Sequence, residues 1–557
     1  MKLLEHHFDT AFDAPDGIKK LRELILTLAM QGKLVPQDPN DPPASELLKE
    51  IKAEEKRLIK EGKIKEPKPL PKVTGDEVPY TLPKGWQWVR LGSMGSTNIG
   101  LTYSPSDVSE SGIPVLRSNN IQSGMLDLSN LKRVAVEVKQ SVLVQEGDLL
   151  ICARNGSRAL VGKTAMIPAL PEAMAFGAFM AIFRSKINPF LLRFINSPLF
   201  REMIDEVNTV TINQITQENL RSTVFPLPPL NEQSRIIAKI DELMARCDAL
   251  EKLRTERDAQ RLAVHTTVVR QLLNVADTDG HIQAREFLGQ NFGELYTVKE
   301  NVTELRKAIL QLAVMGKLVP QDSNDPPASV LLKQIEVEKK RLVKEGKIKE
   351  PKPLLMITAE EIPFELSAEW AWIRFFAVND VKSELVSASD FPDENQIAPD
   401  SIEKGTGRLL FNRSVSESGA IGPNNRFYKG QILYSKIRPS LNKVTIAPYD
   451  GLCSADMYPI NTYVNSAYMH QVMLSEVFLE QVRLAENRVK MPKLNLESLS
   501  QFVIPLAPLA EQHRIVAKID QLMSMCDTLE QQIDAAGATQ SALLAAMMAQ
   551  YGGQQCA

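Results

Sequence analysis

The sequence predicts an α+β chain in which two mixed α/β domains are separated by a long antiparallel helical coiled coil formed from duplicated regions. Three observations predict it. Leu21–Leu70 recurs as Leu305–Leu354, with about 38 of 50 positions identical at an offset of about 284. PLPPLNEQSRIIAKIDELMARCDALE (Pro226–Glu251) returns as PLAPLAEQHRIVAKIDQLMSMCDTLE (Pro505–Glu530). The stretches between these repeats, 82–225 and 366–504, barely resemble each other. The chain therefore reads as two units of frame, insert and frame, in five segments: 1–81, 82–225, 226–365, 366–504 and 505–557.

Ile18 to about Gly32 is expected to be a helix, with Leu21, Leu24, Ile25, Leu28 and Ala29 on one face and Gly32 as its stop. VPQDPNDPPAS is a turn-rich loop, and Ser45 caps a second helix, Glu46–Lys60, ending at Gly62. IKEPKPLPK is an extended Pro/Lys linker into the first insert. The copy at Leu305–Leu354 predicts the same shapes, related by a pseudo-twofold axis. Each second repeat opens a long helix, its entry fixed by prolines that disfavour helix before them. Ile236, Ile240, Leu243, Cys247 and Leu250 step by 4, 3, 4 and 3, and so do Ile515, Ile519, Leu522, Cys526 and Leu529. That spacing is a coiled-coil seam. The first helix is expected to reach about Asn274, ~40 residues and roughly 60 Å.

In the inserts, IPVLRSN, GDLLICAR and VGKTAMIP read as short strands, followed by helices over Phe190–Phe200 and Arg201–Val207. GQILYSKIRP and NKVTIAPYD read as strands and Ala467–Leu484 as a helix. Both inserts run strand entry (Gly147, Gly430), polar turn, strand, helix, which predicts one fold with two surfaces.

A net charge of −3 over 557 residues argues against a purely electrostatic nucleic-acid binder. The first insert carries about 14 Lys+Arg against 11 Asp+Glu, the second about 14 against 15, so most phosphate binding would come from partners. Cys152, Cys247, Cys453, Cys526 and Cys556 show no CxxC pairing and read as core residues in a reducing compartment. MKLLEHHFDT does not look like a signal peptide, and no apolar run approaches the ~20 residues of a membrane span. The expected location is cytoplasmic.

Two polar turns are the best candidates for DNA contact. GDLLICARNGSRALVGKTA sets Arg154, Asn155, Ser157, Arg158 and Lys163 between apolar strands; GQILYSKIRPSLNKVTIA does so with Lys436, Arg438, Ser440, Asn442 and Lys443. Arg and Lys bridge guanine O6 and N7, Asn pairs with adenine, and Ser and Lys hold phosphates. A solvated hairpin tip is the competing reading. IPVLRSNNIQSG offers Arg117, Asn119 and Asn120, against which stands an Asn-stabilised turn. Two motifs are set aside. Gly156 and Gly162-Lys163-Thr164 are separated by five residues where a Walker loop needs four. Asn40-Asp41-Pro42-Pro43 lacks the aromatic with which amino-methyltransferases stack a base, having Ala44 instead, and Asn324–Ala328 is the same. The six histidines lack metal-ligand spacing, and no catalytic or metal constellation is found.

With these parts in order, the chain resembles the specificity subunit of type I restriction–modification systems. The Pro-x-Gly-Trp opening is LPKGWQWVRLG (Leu82–Gly92), and the closing turns into helices are PLPPLNEQSRI and PLAPLAEQHRI. The duplicated GKLVPQD…DPPAS…KIKEPKPL frame is similar to the subgroup with an extended N-terminal conserved region. The second opening, LSAEWAWIRFF, has Glu369 where Gly85 stands, while Trp370 and Trp372 match Trp86 and Trp88. The resemblance implies a subunit without an active site. Each target-recognition domain would read one half of a split, asymmetric site in double-stranded DNA, and the helical rod would set the spacer. The shared helices would dock two adenine-N6 methyltransferase subunits, and the complex would recruit restriction subunits. S-adenosylmethionine, ATP and Mg²⁺ would belong to those partners, with no cofactor in this chain. The rival readings are a coiled-coil tether joining two protein-binding domains and a free-standing transcription regulator.

Overall fold

The computed structural model describes residues 13–62, 66–207, 213–273, 278–486 and 492–552. The chain divides into two compact units, Met1–Glu256 with Ala536–Ala557, and Arg257–Ala535.

The frame helices form where their apolar spacing demands. Gly17–Met30 buries Ile18, Leu24, Ile25, Ala29 and Met30, and Gly32 at φ +66° lets the chain leave through the left-handed conformation that side chains disfavour. The second helix is Ala44–Lys60, so Ser45 lies inside it rather than capping it. Its first N–H, on Ala44, donates to the Gly85 carbonyl at 2.8 Å, which replaces a side-chain cap. Ala328 donates to Glu369 in the same way at 2.8 Å. Gly85 takes φ +92° while Glu369 stays out of the left-handed region, so the second opening reaches the same bond by another backbone path.

Both inserts are rooted on a two-stranded antiparallel ribbon that joins their first and last strands, Gln87–Arg90 with Val224–Leu227 and Ala371–Arg374 with Val503–Leu506. Each then builds a four-stranded antiparallel sheet of one order. In the first it runs Ser96–Ile99, Met180–Arg184, Leu149–Cys152, Thr164–Met166. In the second it runs Asn379–Val381, Met457–Thr462, Ile432–Ser435, Val444–Ile446. Gly147 and Gly430, at φ +84° and +87°, turn the chain into the central strand, and their N–H groups donate to Ile167 and Ala447 at 2.9 Å. An outer sheet with one parallel pair follows, three-stranded in the first insert and five-stranded in the second.

The insert helices break at other places than the apolar pattern suggests. Asn188–Ile195 and Pro198–Val207 replace the predicted Phe190–Phe200 and Arg201–Val207, and Ala467–Leu484 is two helices, Ser466–Leu474 and Glu476–Ala485. A serine breaks each pair: Ser197 and Ser475 bond back by their hydroxyls to Phe194 and Val472, at 2.6 Å.

The long helices are Leu230–Leu273 and Leu509–Gly552, each 44 residues. Their predicted seam is spent otherwise over most of its length. Ile236, Ile240 and Cys247 lie at most 1 % exposed in the first unit's core with Ile25, Ala29 and Trp86, and Leu243 packs beside them. Arg22 of the frame helix reaches across to Asp248 (2.7 Å) and Glu251 (2.8 Å). Leu250, assigned to the seam, is 40 % exposed. Ile515, Ile519 and Cys526 are equally buried in the second unit's core with Val302, Ile309 and Trp370, and Leu522 and Leu529 pack against it. A 3–4 stripe shows that a helix buries one face; it does not say against which partner.

Candidate nucleic-acid interface

The inserts are fastened to their frames by the same bonds. Trp86 Nε1 donates to Glu232 at 2.9 Å and Trp370 Nε1 to Glu511 at 3.0 Å, both buried. Burial pushes both carboxyls above the ordinary carboxylate range, against the pull of the indole N–H. Arg90 donates to the Pro71, Lys72 and Ser222 carbonyls and to Glu77 at 2.7 Å. Arg374 does the same with Leu355, Met356, Gln501 and Glu361. The Thr74 N–H and then the Arg90 guanidinium hold Glu77 down at about 2, and the Arg374 guanidinium and then the Thr358 N–H do the same for Glu361. The Asn-Asp-Pro-Pro loops also belong to this fastening: Asp41 pairs with Arg235 (2.6 Å) and Asp325 with Arg514 (2.7 Å), tying each loop to the start of a long helix.

From that base the first polar turn leaves strand Leu149–Cys152. Arg154 is exposed, makes no ion pair among the described residues, and sets its guanidinium 5.4 Å from the Phe179 ring centroid. Ala153 and Arg154 both donate their N–H to the Phe179 carbonyl, at 2.9 and 3.0 Å. Asn155 accepts from Ser157 N at 3.0 Å and lies 3.5 Å from the Ser118 hydroxyl, so the two candidate turns of this insert meet. Ser157 is exposed; Arg158 is paired with Asp205 at 3.0 Å, an exposed bridge that costs little to open. Lys163 is half-buried at the far end, where its carbonyl accepts from Cys152 N. Thr164 starts a strand, where a phosphate loop would lead into a helix, and spends its hydroxyl on Leu150 O at 2.8 Å.

Hydrogen bonds set the correspondence between the two turns. Cys152 N bonds Lys163 O as Ser435 N bonds Lys443 O; Asn155 N bonds Asn213 O as Arg438 N bonds Pro492 O. Arg154 therefore corresponds to Ile437, and Arg438 to Asn155. The two arginines are thus offset by one residue, and Arg438 takes φ +44°, in the left-handed region. The position of Phe179 is Asp456 in the second insert, where Lys436 N donates to its carbonyl. Its carboxylate pairs with Lys493 (3.1 Å) and lies 4.0 Å from Lys436.

Several predicted contacts are structural. Asn120 is 1 % exposed and donates to Asp127 O and Asn130 O while its own oxygen accepts from Arg117 N. Asn442, 2 % exposed at φ +47°, occupies the left-handed place that Gly162 holds in the first turn, and donates to Leu474 O. Ser440 is committed to Glu486, and Lys443 bonds the Pro399 carbonyl. Arg117 is half-buried with its Nε unpartnered, and Asn119 is exposed. Arg154, Asn155, Ser157, Asn119 and Arg158 thus form the presentable surface of the first insert, and Arg438, exposed and without an ion pair among the described residues, heads that of the second. Phe179, 61 % exposed, and Gln214, bridged to Arg154 in antiparallel register, carried no signal in the sequence because only the fold brings them to the turn. Among the described residues no cluster of three His, Cys, Asp or Glu could hold a metal, and no helix is long and apolar enough to cross a membrane.

The family model described as type I restriction modification DNA specificity domain matches residues 83–257 and 412–536. The type I restriction enzyme EcoAI specificity subunit of Escherichia coli is 34 % identical over 94 % of this chain and 92 % of its own length. The EcoEI specificity subunit of Escherichia coli is 31 % identical over the same shares. The EcoKI specificity subunit of Escherichia coli strain K12 is 24 % identical over 81 % of this chain and 85 % of its own. Matched in both inserts and aligned nearly end to end with such relatives, the chain belongs to the family of type I restriction–modification DNA specificity subunits.

Proposed function

We propose that this chain is the sequence reader of a type I restriction–modification complex. Each insert reads one half of a split, asymmetric DNA site; the long helices set the unread spacer; the duplicated frames dock two methyltransferase subunits, through which restriction subunits join. The chain contributes recognition and assembly, and S-adenosylmethionine, ATP and Mg²⁺ act on its partners. One observation carries the reading: a single insert fold, rooted by the same Trp–Glu and Arg–Glu bonds, presents different side chains at hydrogen-bond-equivalent positions. Scaffolds alike at their roots and central sheets, with unlike surfaces, suit two unlike half-sites. The spacer role draws support from the long helices, since each has residues in both units.

The test is co-expression with a methyltransferase subunit of the same system in a host lacking adenine methylation, followed by long-read mapping of N6-methyladenine. A single split motif is the expected result. A soluble complex that adds no new motif would refute the half-site reading and favour a tether joining two protein-binding domains.

A further inference from the structure

Phe179 is a large apolar side chain, 61 % exposed, on a turn whose other members are Gly177 and Ala178. Such a residue gains nothing from solvent, and here it cannot fold back easily. Its carbonyl is gripped by two N–H donors, and Met180 N closes the turn on Gly177 O at 2.8 Å. Beside the turn, strand Ser96–Ile99 runs into Gly100, where a Cβ would stand 2.2 Å from Phe176 O, so backbone packs directly on backbone there. Around the ring stand groups that read nucleic acid: the Arg154 guanidinium over its face, with Gln214 and Asn155 beside Arg154. The cation–π contact holds the guanidinium beside the ring, and among the described residues no ion pair claims it.

Resting on the proposed half-site reading, we propose that Phe179 is a specificity-determining residue of the first insert, contacting a thymine C5-methyl group in the major groove next to the base pair that Arg154 reads. The major groove shows an apolar feature only at thymine, and a phenyl ring is one of the side chains that meet it. An arginine edge beside a phenyl face suits a guanine adjacent to a thymine. The second insert supplies a contrast: its equivalent residue, Asp456, is charged and tied to Lys493, so no methyl contact is expected there.

The test uses the complex of this chain with its methyltransferase and duplexes carrying the mapped motif, in which each thymine is replaced in turn by uracil, which lacks only the methyl. Affinities are compared for the wild type, Phe179→Ala and Phe179→Leu. One replacement, in the half-site that Arg154→Ala also relaxes, should weaken wild-type binding about three- to five-fold, the worth of one buried methyl. Phe179→Ala should bind the thymine and uracil duplexes equally, and Phe179→Leu should keep part of the preference. Each ratio is internal to one protein, so partial misfolding of a variant does not blur it. If the motif is bound but no replacement distinguishes wild type from Phe179→Ala, the methyl contact is wrong while the half-site reading stands. If the wild type shows no sequence preference at all, both fall together.

Discussion

Trp86→Phe and Trp370→Phe should destabilise their units unequally, though the substitution is the same. Each removes an indole N–H from a carboxylate that is 1 % exposed, in the first turn of a long helix. A hydrogen bond to a charged buried group is worth about 1.5–3 kcal/mol. In the first unit Gln37 still donates to Glu232 at 2.6 Å. In the second unit the other oxygen of Glu511 has no partner among the described residues, so there Trp370→Phe takes away the one side-chain donor described. The packing loss from indole to phenyl is common to both and cancels in the difference. Trp370→Phe should therefore cost about 1–2 kcal/mol more than Trp86→Phe. The excess should depend on pH with a definite sign. Both carboxyls lie above the ordinary value of 4.5, chiefly from burial, and losing a donor raises them further. A group bound more tightly to its proton when folded adds stability below its ordinary value and loses it as pH rises through the raised one. Hydrogen exchange read separately in each unit, between about pH 5 and 8, measures this. Equal losses in the two units, or an excess that does not shrink on acidification, would refute the assignment of Glu232 and Glu511 as buried, donor-dependent carboxylates.

Arg154→Ala should weaken specific DNA binding by about 1–3 kcal/mol and relax one half-site, and Arg438→Ala should do so in the other; a uniform loss across all sequences in a binding titration would make either residue a phosphate clamp. Glu77 and Glu361, held down at about 2, contribute stability that is present above 4.5 and drains as pH falls toward 2. Glu77→Gln and Glu361→Gln should accordingly flatten the acid limb of the unfolding profile, and an unchanged limb would assign it to other carboxylates. Inserting four residues, about one helical turn, into Leu230–Leu273 should change the spacer in the mapped motif and leave both half-sites intact; an unchanged spacer would show that this helix does not set it.

Where the fold repeats, it was readable from the chain. Identity over the frame carried over to paired bonds such as Asp41–Arg235 with Asp325–Arg514, and Gly147 and Gly430 marked the same entry into the same sheet. Where the fold diverges, sequence order failed in specific ways. Arg154 stands seven residues after Gly147 and Arg438 eight after Gly430, so pairing the turns by residue type joins arginines that the hydrogen bonds keep apart. Asn120 and Asn442 look like base-readers because asparagine is also the residue that braces tight turns. The 3–4 stripe of the long helices was legible as a buried face, but its neighbour, the helix Gly17–Met30, lies more than two hundred residues away in sequence.

The first unit contains the stretch Ala536–Ala557, whose Leu544 and Met547 are buried against Ala14, with Gly537 beside Pro15. The second is one continuous stretch, Arg257–Ala535. Translation therefore delivers the parts out of step. The second unit has all its residues before the first one does, although the first began emerging earlier. A nascent chain carries its leading unit incomplete, with the seat for Leu544 and Met547 open, until nearly everything after it has been made. A ribosome stalled late in the message would release a molecule whose trailing unit is whole and whose leading unit is not.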